Sequence, residues 1–124
     1  MANLPCPFGP NSLKTQPISA TYTGSTYATF DATDVSSTPT PANSGPSGGK
    51  STIRIVNTGT KTAFVLWGVG TTTVPVAATT ACMPIIGGQT GYFTKAETDN
   101  QIAAITGGSD TTTLYITCGE GGIL

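Results

Sequence analysis

Residues 51–70 read Ser-Thr-Ile-Arg-Ile-Val-Asn-Thr-Gly-Thr-Lys-Thr-Ala-Phe-Val-Leu-Trp-Gly-Val-Gly. Two strand-like runs flank a turn-like tetrad. Ile53, Ile55 and Val56 supply β-branched residues before it, and Phe64, Val65, Leu66, Trp67 and Val69 follow it. Asn57-Thr58-Gly59-Thr60 carries residue types that tolerate positive φ, so the stretch is expected to form a hairpin. On the second run Phe64 and Leu66 point one way while Val65, Trp67 and Val69 point the other. Both sides are apolar, which predicts a central strand covered on both faces, either wholly within its own sandwich or by one sheet and a neighbouring subunit. Trp67 is the largest anchor; burying such a ring contributes about 2–3 kcal/mol.

Further strands are expected on either side. Upstream, Ile18–Tyr22 and Tyr27–Asp31 flank Thr23-Gly24-Ser25. Downstream, Thr71–Val76 reads as a short strand or a turn at Pro75, and Gln89–Thr94 as a strand anchored by Tyr92 and Phe93. Thr94-x-x-Glu97 matches a capping box, but Ile102-Ala103-Ala104-Ile105 lacks a 3.6-residue pattern. A loop to Asn100 and a strand over Gln101–Thr106 are therefore expected. Thr111–Cys118 is the last strand, with Leu114 and Ile116 on one face and Tyr115 on the other. Seven or eight short strands with regular turn signals and no long helix predict an all-β chain, an antiparallel β-sandwich or jelly roll. Its core anchors are expected to be Ile53, Ile55, Phe64, Leu66, Trp67, Phe93, Leu114 and Ile116.

The 124 residues are the length of one domain. Residues 1–17 hold Pro5, Pro7, Pro10 and Pro17, which forbid a helix and predict an extended arm with Leu4, Cys6 and Phe8 as apolar teeth. Residues 18–124 then form the sandwich, interrupted by a long loop over 32–50 that contains Pro39, Pro41 and Pro46. Leu4, Pro5, Pro7, Phe8, Pro39, Pro41 and Pro46 are the candidate contacts with a partner or with a sister copy.

Charged residues make up 9% and the net charge is −1. That gives no basic footprint for nucleic acid and no polybasic patch for a membrane. No apolar run approaches a membrane span, and the first ten residues do not read as a signal peptide, so a cytoplasmic protein, or one assembled there into something larger, is expected. Cys6, Cys82 and Cys118 are too few and too far apart for a disulfide framework or a zinc motif, and there is no histidine. No cofactor, metal or catalytic residue is expected.

Three blocks together resemble a module of tailed-phage virion proteins. They are Ile53–Thr60 leading to Phe64–Gly68; Met83-Pro84-Ile85-Ile86-Gly87-Gly88 followed by Gly91-Tyr92-Phe93; and Gln101–Ile105 followed by Leu114–Thr117 and Gly119-Glu120-Gly121. The module is similar to capsid decoration, or cement, proteins. The resemblance covers roughly 52–122 and implies a β-sandwich that binds the outside of a phage shell in many copies. Its partners would be the major capsid protein and other copies of itself. It would be made in the host cytoplasm and end on the capsid surface of the virion. The resemblance implies no catalytic residues.

Other readings remain open at this point. Trp67, Tyr22, Tyr27, Tyr92 and Tyr115 are candidates to stack on sugars in a carbohydrate- or receptor-binding module of a phage fibre or tail, although Trp67 lies in a dense apolar run. A head-fibre base or tail-tube accessory is a further possibility. For an enzyme the carboxylates are Asp31, Asp34, Glu97, Asp99, Asp110 and Glu120; Glu97 and Asp99 are close enough in sequence to act as a pair, but such a pair in a polar loop is more often simply solvated.

Overall fold

The computed structural model describes residues 9–10, 15–30, 35, 52–96 and 98–120. Nine strands lie among them: β1 (Gly9–Pro10), β2 (Gln16–Thr21), β3 (Thr26–Thr29), β4 (Thr52–Asn57), β5 (Ala63–Gly68), β6 (Met83–Ile85), β7 (Thr90–Thr94), β8 (Gln101–Thr106) and β9 (Thr111–Glu120). One sheet runs β2-β9-β4-β7, with β1 beside the far end of β9; the other runs β3-β8-β5-β6. Every pairing is antiparallel. The expected all-β sandwich is therefore the fold.

Its strand order is that of a jelly roll. The pairs β2–β9, β3–β8, β4–β7 and β5–β6 are nested, as if one long hairpin with β5–β6 at its tip had been rolled up. From β2 onward, every connection except β5–β6 crosses from one sheet to the other.

That topology corrects the expected hairpin at 51–70. β4 pairs with β7 and β9, whereas β5 pairs with β6 and β8. Residues 58–62 are an arch between sheets, and Thr23-Gly24-Ser25 is another, between β2 and β3. Turn-forming residues specify a reversal of the chain but not which strand the returning segment will pair with. Nor does the arch use positive φ, which among the described residues occurs only at Gly88 and Gly108. Gly59 serves close approach instead, because a Cβ there would collide with the Thr112 hydroxyl.

The core lies between the sheets. Ile18 and Ala20 of β2, Ile53 and Ile55 of β4, Val65 of β5, Ile102 and Ala104 of β8, and Leu114, Ile116 and Cys118 of β9 fill it. Ile53, Ile55, Leu114 and Ile116 are thus the anchors the sequence predicts, each worth about 1.5–3 kcal/mol on burial. Phe93 is partly buried against this core, and so is Trp67, whose ring centroid is 5.7 Å from that of Phe93. Val35, from the stretch read as a loop, also packs there.

Leu66 and Phe64 do not serve as anchors. Both alternate outward from Val65, and Leu66 is 42% exposed. The second cover expected over β5 lies instead over its neighbour. Ala103 faces outward between Ile102 and Ala104, yet it is fully buried. Residues 69–82 run along the outer side of this strand, β8. Val76 N donates to Gln101 Oε1 at 2.9 Å, Ala78 N donates to Ser25 Oγ at 2.9 Å, and Thr80 lies against Gly107. The start of this strap is clamped by Asn100, whose amide bonds both Gly70 N (2.9 Å) and Gly70 O (3.0 Å). Of the short strand or turn expected at Thr71–Val76, it is a turn that forms within the strap, closed by Thr71 N donating to Val74 O just ahead of Pro75.

Gln101–Thr106 is a strand, as its pattern predicts. The capping-box alternative fails because the chain turns tightly instead. Asp99 Oδ2 accepts from Ala96 N at 3.0 Å, and Lys95 Nζ donates to Ala96 O (3.2 Å) and Asp99 O (3.1 Å). Lys95 is 2% exposed and sits 5.3 Å from the centre of the Phe30 ring. Gln16 and Pro17, assigned from sequence to the arm, are the first residues of β2.

Candidate interaction surfaces

The arm and loop contacts read from sequence, Leu4, Pro5, Pro7, Phe8, Pro39, Pro41 and Pro46, lie outside the described residues. So do Asp31, Asp34, Glu97 and the side chain of Glu120. The described carboxylates are occupied locally: Asp99 caps its own turn, and Asp110 faces Lys61 at 3.9 Å on the surface. Among the described residues no group of three His, Cys, Asp or Glu side chains is placed to hold a metal. Cys82 is half-buried with Thr79 N donating to its sulfur at 3.4 Å, and Cys118 is in the core.

Each of the two outer sheet faces carries exposed apolar side chains. On the β2-β9-β4-β7 sheet, the outward residues of adjacent strands align as Pro17 beside Tyr115 beside Val56, and Thr117 beside Arg54 beside Tyr92. Tyr92 and Tyr115 are 41% and 39% exposed. On the other sheet, Tyr27 and Leu66 flank the buried Ala103 in register. A shallow apolar cavity of about 300 Å³ opens at the β5–β6 edge between Leu66, Trp67, Cys82 and Met83. Tyr22, Val69, Val74 and Ile86 are exposed on the loops.

One end of the sandwich is closed by a polar knot that the sequence reading missed. Asn57 Nδ2 donates to Lys61 O (2.8 Å) and Ile85 O (2.9 Å), while its Oδ1 accepts from Gly59 N (3.1 Å) and Thr112 Oγ1 (2.6 Å). The side chain is 1% exposed, and all four of its hydrogen-bonding positions are used. Beside this knot a groove of about 460 Å³ is lined by Ser19, Ala20, Thr21, Thr58, Gly59, Thr111, Thr112 and Thr113. The only signal for it in the sequence is the run Thr111-Thr112-Thr113.

No protein-family model, curated protein or solved structure matches the chain.

Proposed function

We propose that this chain is a virion structural protein that binds the outer surface of a phage capsid and bridges neighbouring capsid subunits. The supporting observation is a sandwich whose two opposite outer faces both expose large apolar side chains, Tyr92 and Tyr115 on one and Tyr27 and Leu66 on the other. Tyrosine and arginine are enriched where proteins meet, and charged side chains are depleted at the centres of such contacts. Here residues 62–94, which include β5, β6 and β7, contain no charged residue. A body with a contact face on each side can join two neighbours, and many copies on one lattice gain avidity from that geometry.

The test is co-sedimentation of the purified protein with phage heads stripped of accessory proteins, counting bound copies per capsid subunit. Saturation at a fixed ratio, with heads that then resist heating better, is the expected result. Heads that bind no protein overturn the reading.

A further inference from the structure

We propose that the groove beside Asn57 binds a neutral oligosaccharide, with Tyr115 as its stacking platform. This goes beyond the shell-binding role and does not depend on it.

The first observation is the lining. Every residue of the groove is Ser, Thr, Ala or Gly, so it offers hydroxyls and backbone but no ionised group. Its volume of about 460 Å³ falls within the roughly 300–1,000 Å³ of small-molecule sites. The nearest charges along the chain, Lys61 and Asp110, face each other and leave no net charge to draw an ion.

The second is the state of the hydroxyls. Thr112 and Thr58 spend their protons internally, on Asn57 Oδ1 and Thr113 O. Their lone pairs remain as acceptors. The hydroxyls of Ser19, Thr111 and Thr113 have no protein partner among the described residues, so they can both donate and accept. A ligand that presents many hydroxyls of its own, each needing donor and acceptor, matches that lining; an apolar ligand would leave it unsatisfied.

The third is the platform. Along the outer face of β2 and β9 the paired residues are Thr21 with Thr111, Ser19 with Thr113, and Pro17 with Tyr115. Tyr115 is therefore the next outward residue on β9 after the groove-lining Thr113, and it is 39% exposed. Sugar rings carry apolar C–H faces beside their hydroxyls, and an exposed phenol ring next to a hydroxyl-lined groove meets both. The groove is held open by rigid parts. Asn57 fixes the arch at its four hydrogen bonds, and two paired strands form its floor.

The experiment is an NMR titration of the isotope-labelled full chain with neutral oligosaccharides, cellopentaose, maltopentaose and chitopentaose, with glycerol as the control. Saturable shifts confined to the amides of residues 19–21, 58–59 and 111–115, from at least one sugar and not from glycerol, are the expected result. Tyr115→Ala should weaken that binding about tenfold. Thr113→Val, which exchanges a hydroxyl for a methyl of similar size, should weaken it with the rest of the spectrum unchanged. No saturable shift with any of the three sugars, shifts centred elsewhere, or undiminished binding by Tyr115→Ala overturns the proposal.

Discussion

Thr112 donates its hydroxyl hydrogen to Asn57 Oδ1 across 2.6 Å, tying the last strand of the sandwich to the mouth of the arch between β4 and β5. Through the other end of the same amide, β6 is held by its Ile85 carbonyl. One side chain thus joins both sheets, and removing it leaves several buried polar groups without partners. Asn57→Ala should cost about 2–4 kcal/mol, since each buried group left unsatisfied costs about 1–3 kcal/mol and the losses overlap. Asn57→Asp should also destabilise, because it sets a carboxylate oxygen against two carbonyls. Urea denaturation followed by Trp67 fluorescence reads both, and wild-type stability in either variant would count against the knot.

Gly59 is held to its identity by the same neighbour. A Cβ would strike the Thr112 side chain, so Gly59→Ala should lose about 1–3 kcal/mol as overpacking. In a Thr112→Ala background that loss should shrink, because the obstructing hydroxyl is gone. A double-mutant cycle measures the difference. Equal losses in the two backgrounds would place the strain elsewhere.

Adjacent residues on β5 should behave oppositely. Trp67 packs on Phe93 at the edge of the core, and Trp67→Ala should cost about 2–4 kcal/mol. Leu66 faces outward, and Leu66→Ala should cost less than about 1 kcal/mol. If Leu66 belongs to a shell contact, its loss should lower head binding while thermal stability holds. A large stability loss at Leu66 with none at Trp67 would reverse the facing of the strand.

The strap over β8 should come loose when its clamp is removed. Asn100→Ala deletes both side-chain bonds to Gly70, so amides in residues 69–76 should exchange faster while those of β8 and β9 keep their protection. Uniform loss of protection would show that Asn100 supports the whole fold instead.

Deleting residues 2–8, which carry Leu4, Pro5, Pro7 and Phe8, should weaken binding to stripped heads and leave the unfolding midpoint in urea unchanged. Undiminished binding by the shortened chain would remove the arm from the contact.

Strand positions were legible in the sequence because they depend on local composition. Gln101–Thr106 lacks a helical period, and Thr111–Cys118 alternates, and both are strands. Partnership was not legible. The Asn-Thr-Gly-Thr turn looks the same whether the chain returns beside itself or crosses to the facing sheet, and the choice is made by β9, more than fifty residues away. The outward turn of Leu66 was hidden for a related reason. An apolar residue on either side of a strand reads as doubly covered, while the actual cover, residues 69–82, lies over β8. Asn57 reads from sequence as a residue of tolerant backbone, but its contribution comes from its side chain, two of whose four partners, Ile85 and Thr112, are distant in sequence. The groove was missed because small hydroxyl residues from three segments meet only after folding.

By loop closure alone, the nesting of the pairs favours one order of assembly. Only β5 and β6 are neighbours both along the chain and in a sheet, and each pair outside them must close a longer stretch of chain than the one within. The entropy lost on closing rises with the logarithm of that stretch, so assembly is least costly from the tip outward, with β4–β7, then β3–β8, then β2–β9. A chain dominated by such distant pairings folds slowly, on about the millisecond-to-second scale of β-sandwiches. The outermost closures, β2–β9 and the short β1–β9 beside it, unite the two ends of the described chain and carry the largest loop-closure cost of the set.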